Sequence, residues 1–359
     1  MAVNARNIKV GVNIATSGSW GTGTANATAV GSGDGHYVRD HLDFQMQRMV
    51  VEDDSAGQNF IGAVQVSDMT AVTGKIPLHM HYFDTFLNPL WALAFGTGNT
   101  TPTQDGATTA YTGTFAPATN KTGLYCSIVT NKSQDVYEVS GAKCTGFEIR
   151  SADNGRMELD FFFLGDMEIE GSSINDTTQT DALTFPTLGK RWFFHQVVFR
   201  INAQAGGALG ASDAHSISSL KVKFEQPLDT VQAGGQTTIV EPEESAFPTC
   251  EIEVTFSRYD TDSVAFFAAQ RVATPYKCDL TFTGPAIGAL ATTYGLFMEF
   301  PHVYIPDDGY VAAVPGGAGQ VAPTTRFKCI GTSSAPTGMT GTDLVYVITT
   351  GERSANPFA

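Results

Sequence analysis

The residues best placed to do chemistry are few. His79 and His81 stand two apart in "GKIPLHMH", the spacing at which two imidazoles on one strand face can converge on a tetrahedral metal such as zinc. No third ligand accompanies them, so the plain alternative is a pair of solvated strand histidines. Three acidic groups, "EDD" at 52–54, "EPEE" at 241–244 and "PDDG" at 306–309, hold carboxylates that could bind calcium or act as an acid and a base. None has the ligand spacing of a calcium loop, which favours solvated loops, and a β-sandwich glycosidase with a scattered carboxylate pair stays open. Nucleophile and phosphate-binding motifs are missing: there is no GxSxG, and Gly74-Lys75 runs on into Ile76 within a strand-like run. Cys126, Cys144, Cys250, Cys278 and Cys329 are odd in number, far apart and set in apolar runs, which reads as buried free thiols in a reducing compartment. Nothing calls for a cofactor, a metal or catalysis.

The elements that carry these residues are mostly strands. "GKIPLHMH" alternates, with Ile76, Leu78 and Met80 on one face and Lys75, Pro77, His79 and His81 on the other, and Pro77 suggests an edge or bulge. "CTGFEIRSADNGRMELDFFFLGD" predicts a hairpin turning at Asn154-Gly155. "HYFDTFLNPLWALAFG", 81–96, instead predicts a helix: Asp84 or Thr85 caps its start, Pro89 falls in the first turn and Gly96 ends it. Apolar residues wrap most of its circumference. Phe86, Leu90, Trp91 and Phe95 are therefore expected to lie between its own sheet and a neighbouring chain.

A repeat runs through the sequence. Ile252, Val254 and Phe256 fall on Ile76, Leu78 and Met80 at an offset of 176, and Tyr259-Asp260-Thr261 falls on Phe83-Asp84-Thr85. An apolar run, "DSVAFFAAQ", follows, which makes Asp260 and Thr261 caps and Phe266 and Phe267 interface candidates of a second helix. Upstream, "LKVKFEQPLDTVQAGGQ" from Leu220 matches "FQMQRMVVEDDSAGQ" from Phe44 at the same offset, and downstream the offset slips to 172. Identity is sparse, and chance is the alternative to duplication. Duplication predicts a mainly β chain of two tandem sandwich or barrel domains, 1–175 and 176–359, each flanked by one short helix. The join falls in the polar stretch 170–185, and long Gly/Thr-rich loops order against partners.

Composition limits the partners. The 359 residues carry 36 acidic and 21 basic side chains, a formal charge of -15, which argues against a groove that holds nucleic acid through its phosphates. "MAVNARNIKVGVNIATSGSWG" lacks the apolar core of a secretory signal and no run approaches a membrane span, so synthesis and folding in a cytoplasm are expected.

Three features together resemble a known family. They are the hairpin "VYEVSGAKCTGFEIRSADNGRMELDFFFLGD" from Val136, the strand followed by an Asp-capped helix at Asp84 and Asp260, and "ISSLKVKFEQPLD" from Ile217. They resemble the tail tube (major tail) proteins of long-tailed bacteriophages, the flexible non-contractile type more closely, over much of residues 40–305. The long N-terminal Gly/Thr-rich loop and the "SANPFA" tail match no family position. The resemblance implies a β-sandwich or barrel beside one helix, built in the host cytoplasm into a virion tail of stacked rings. It also implies contacts with tape-measure and tail-terminator or baseplate proteins, and genomic DNA that passes through without specific binding. Six single-domain copies usually make a ring; a chain with two such domains closes a pseudo-sixfold ring with three, the preferred version, six chains being the alternative. Carboxylates repel phosphate, so an acidic lumen suits passage, and Glu148, Glu158, Asp160, Glu251 and Glu253 are the strand acids that could line it. The rival readings are a capsid decoration protein, which needs no two equivalent units, and an extracellular carbohydrate-binding or glycosidase sandwich, which calls for a signal peptide and paired cysteines.

Overall fold

The computed structural model describes residues 8–14, 20, 29–40, 42, 44–52, 64–82, 88–96, 102–106, 108–133, 135–152, 155–166, 168–170, 174–187, 189–231, 233, 239–259, 261–312 and 321–354. The chain is mainly β, with antiparallel pairing throughout the described strands. Its first half runs β1 (Lys9–Ile14), β2 (Gly35–His36), β3 (Gln45–Glu52), β4 (Val64–His79), α1 (Asn88–Phe95), β5 (Thr103–Gln104), β6 (Tyr111–Phe115), β7 (Cys126–Asn131), β8 (Val136–Ser151), β9 (Met157–Gly165) and β10 (Glu168–Glu170). A short helix α2 (Thr177–Asp181) follows, then β11 (Val197–Ala203), β12 (Ala214–His215), β13 (Ile217–Glu225) and β14 (Thr249–Phe256). The chain ends with α3 (Thr261–Gln270), β15 (Tyr276–Ala286), β16 (Thr293–Tyr304), β17 (Tyr310–Val311), β18 (Thr324–Cys329) and β19 (Tyr346–Gly351).

One order of neighbours occurs twice. In the first half it is β1–β7–β8–β9–β4–β3. In the second it is β11–β15–β16–β18–β14–β13. The halves join because β8 changes partner along its length: 136–142 pair with β7, and 146–150 pair with β13. Gly146 sits at that change, and a Cβ there would stand 2.1 Å from the Phe224 carbonyl oxygen, so only glycine lets β13 approach. A continuous ribbon results, in the order β3–β4–β9–β8–β13–β14–β18–β17.

Alternation fixes which face of the ribbon is covered. Ile76 and Leu78, Leu159 and Phe161, Phe147 and Ile149, Val222 and Phe224, Ile252 and Val254, and Phe327 all point into one core that spans both halves. Pro77 lies where β4 has run past its β3 partner and keeps only the isolated bridge between Val38 and Leu78 on that side, as an edge proline should. The 152–156 turn holds Gly155 at φ +73 as the hairpin requires, while Asn154 lies outside the described residues.

Helix α1 packs inside this core. Trp91 stacks on Phe95 (5.8 Å) and meets Phe147 and Phe161 edge-on at 4.8 and 5.5 Å, and Phe95 reaches Phe224 of the second half at 5.3 Å. Gly96 ends the helix at φ +76, its N–H donating to the Ala92 carbonyl, and the buried Lys121 ammonium donates to the carbonyl of Ala94. The polar stretch expected to join two domains instead contains α2, capped by Asp176 in a capping box with Gln179. It packs on the first half through Lys9–Asp181 and Asn131–Thr180. All five cysteines are free and buried.

Candidate functional site: a charge-paired sheet face

The face of the ribbon opposite the core carries charges in register. Because side chains on paired residues share a face, the ladder lines up His79, Glu158, Arg150, Lys221, Glu253 and Arg326 in one row across six strands. Two residues along lies a second row, Pro77, Asp160, Glu148, Lys223, Glu251 and Lys328.

Close pairs tie the rows together. Arg39, reaching in from the neighbouring bridge, donates to both oxygens of Asp160 (2.7 and 2.9 Å) and approaches Glu158 at 3.4 Å. Lys75 adds a weaker contact to Asp160 at 3.4 Å. Arg150 Nε donates to Glu158 (2.8 Å) and its Nη1 to Glu148 (3.3 Å), and Lys221 reaches Glu148 from the other side at 3.3 Å. Burial draws the Arg150 pKa down, but the Glu158 hydrogen bond and the charges of Asp160, Glu158 and Glu148 outweigh it and leave the guanidinium held above its ordinary range. The His79 imidazole is held below its usual range, first by burial and then by Arg191 and Arg156.

All five acids singled out in the sequence, Glu148, Glu158, Asp160, Glu251 and Glu253, therefore lie on one face. They do not make it acidic. The same two rows hold five cations, Arg150, Lys221, Lys223, Arg326 and Lys328, which match those five acids in number. With strands about 4.8 Å apart, each charge has an opposite charge within one Debye length of about 8 Å, and the two signs cancel a short way above the surface. The signal for the lysines was present in "LKVKF", whose alternation puts Lys221 and Lys223 opposite the core residues.

The helix residues divide differently. Leu90, Trp91 and Phe95 are fully buried within the chain's own core, and Phe266 is 4% exposed, stacked on Phe256, so none has surface to offer a neighbouring chain. Phe267 is 53% exposed and touches Tyr310. Phe86 and the caps Asp84, Thr85 and Asp260 lie outside the described residues, as does the side chain of Thr261, which begins α3.

Of the remaining candidates, the side chain of Glu52 and all of Asp53 and Asp54 lie outside the described residues, and several others are engaged in structure. Glu241 pairs with buried Lys143 at 2.7 Å and accepts the Gly123 N–H, and Glu244 accepts the Lys121 N–H. Asp308 is held by Arg326. His81 is buried and bridged to Arg191, and His79 is itself half-buried, so the two are not the solvated pair expected from the sequence. Among the described residues no three His, Cys, Asp or Glu side chains form a metal-binding group, and no helix is long and apolar enough to cross a membrane.

Comparison with known proteins is consistent with this β-rich architecture. A family model described as phage tail tube protein matches residues 7–341. No curated protein matches the chain. The match spans nearly the whole sequence and takes in both halves and the ribbon between them, and the chain belongs to the phage tail tube protein family.

Proposed function

We propose that three copies of this chain close into a ring and that such rings stack into the tube through which the phage genome leaves. Each chain contributes two equivalent units, one built on β1–β9 and one on β11–β18, that arose by duplication. The repeated order of strand neighbours supports this reading. Residues 174–187 belong with the first unit on this view, since α2 packs there. In the ring the ribbon forms the inner wall and its charge-paired face lines the lumen.

The single observation that carries the proposal is the ribbon itself: one sheet crosses both halves without a break and shows solvent a face of paired charges instead of an apolar or a basic one. Such a wall neither condenses on phosphates as a basic channel does nor strongly repels them. Its carboxylates are neutralised by neighbouring cations, which argues against an acid–base pair of the glycosidase kind. Location in the virion tail and assembly with other tail proteins accord with tail tube membership, and tape-measure, terminator and baseplate components are the proposed partners. Negative-stain electron microscopy of the purified chain tests the reading: rings or tubes with a central hole support it, and a persistent monomer refutes it.

A further inference from the structure

We propose that the cavity between the end of β13, the entry to β14 and the turn before β19 binds a small organic cation, an alkylammonium or guanidinium group carried on an apolar stem. All its lining residues belong to one chain, so the proposal goes beyond the tube reading and does not depend on it.

The cavity holds about 520 Å³, within the range of small-molecule sites. Its walls come from residues 117–119 after β6, 244–248 leading into β14, and 343–344 ahead of β19. Pro117, Ala118, Ala246, Phe247, Pro248 and Leu344 make them largely apolar, and Phe247 is 92% exposed at the mouth.

One polar group in this lining lacks a partner. Gln226, the residue after β13, is 1% exposed. Its N–H donates to the Thr145 carbonyl (2.7 Å) and its Nε2 donates to Glu244 Oε1 (3.3 Å), which leaves its own Oε1 buried and unmet. An unmet buried acceptor is costly, and a donor entering the cavity is the partner it lacks. The charges around it have one sign. Glu244 and the exposed Asp343 line the cavity, and among the described residues no Lys, Arg or His does. The Lys121 ammonium feels the Glu244 charge but donates to the carbonyls of Ala94 and Cys144, outside the lining.

These features choose the guest by exclusion. An anion meets two carboxylates without a counterion, and a hydrocarbon fills the walls but leaves the Gln226 oxygen unmet. An ammonium or guanidinium on an apolar stem supplies donors to the oxygen and the carboxylates and sets its charge beside the Phe247 ring. Such a group comes from a free amine or from an arginine side chain of another protein.

Saturation-transfer NMR titration of the wild-type chain with benzylammonium, benzyl alcohol and benzoate tests the site. Benzylammonium is expected to bind with a Kd of about 1 mM or tighter and at least about tenfold better than the other two. Equal binding of all three, or none by benzylammonium, overturns the proposal. Asp343→Lys and Phe247→Ala alter exposed side chains and are expected to keep the wild-type unfolding temperature. The first should weaken benzylammonium binding about tenfold and the second about threefold. Unchanged affinity in both variants places the cation elsewhere and overturns the site. Agmatine and N-acetylarginine methylamide separate the two sources: binding of both admits a protein side chain, binding of agmatine alone restricts the site to free amines, and binding of neither counts against it.

Discussion

Replacing Arg39 with alanine separates a structural counterion from a bare surface acid. Asp160 is 3% exposed, and its two oxygens are held by the Arg39 guanidinium at 2.7 and 2.9 Å. Once Arg39 is gone, Lys75 is the remaining contact among the described residues, at 3.4 Å and with 43% of its side chain exposed, where solvent screens the attraction, and Arg150 acts only through its charge. Removing one partner of a buried pair costs about 3–5 kcal/mol, and the residual Lys75 contact places Arg39→Ala near the lower end, about 3 kcal/mol. Asp160→Asn alone leaves the guanidinium short of its partner, and the double variant, which strands neither charge, is expected to show a coupling energy of about 2 kcal/mol. Urea unfolding of the monomer, followed by tryptophan fluorescence, measures all three. A loss below about 1 kcal/mol for Arg39→Ala, with additive effects in the double variant, would show Asp160 to be an ordinary solvated acid and refute the paired-face description.

Other consequences are equally accessible. Trp91→Ala removes a fully buried indole from the seam and is expected to destabilise the monomer by about 3–5 kcal/mol in the same assay, whereas a loss under about 1.5 kcal/mol would contradict its place in the core. Burial, with His81 nearby, holds the His36 imidazole down to about 3, so it stays neutral when folded and takes a proton when unfolded. Its contribution to stability is then complete at neutral pH and falls as the pH drops below 6.5, by about 2 kcal/mol at pH 5. Asp34 and Asp166, pushed up to about 6 mainly by burial, act in the opposite direction. His36→Gln should therefore reduce the stability lost between pH 7 and pH 5 by about 2 kcal/mol, and denaturation curves with unchanged pH dependence would contradict this. Changing Glu148, Glu251 and Glu253 to lysine makes the face basic, and tubes of that variant are expected to retain duplex DNA in a salt-dependent manner while wild-type tubes do not. Equal retention by both in a co-sedimentation assay would place this face away from the lumen.

Strand character, the hairpin, buried thiols and the Gly96 helix stop were legible because each depends on local alternation or a turn residue. Ile76, Leu78 and Met80 alternate in the sequence and are buried in the structure for the same reason. The charge balance of the face was not legible, since it depends on Lys221 lying between Arg150 and Glu253, a register set by strands far apart in the chain. Acids counted along single strands share one face of the ribbon, but most of the cations that balance them come from other strands. The apolar wrap of α1 was visible, but not that Phe147, Phe161 and Phe224 of the same chain would fill all its sides. Strand register also shifts the upstream match. Phe224 pairs with Cys250 and Gln45 with Thr73, so superposing β14 on β4 sets Phe224, and not Leu220, against Phe44. The α2 cap was readable as Asp176 followed by Gln179, a signal masked by the lack of any apolar period in that polar stretch.

Cryo-electron microscopy of tubes assembled from the wild-type chain is the most direct test of the account. It should show three chains per ring with two similar units each, the ribbon forming the inner wall, and Glu253 and Lys221 facing the hole. Six chains per ring, or this face turned outward with another sheet lining the hole, would contradict it.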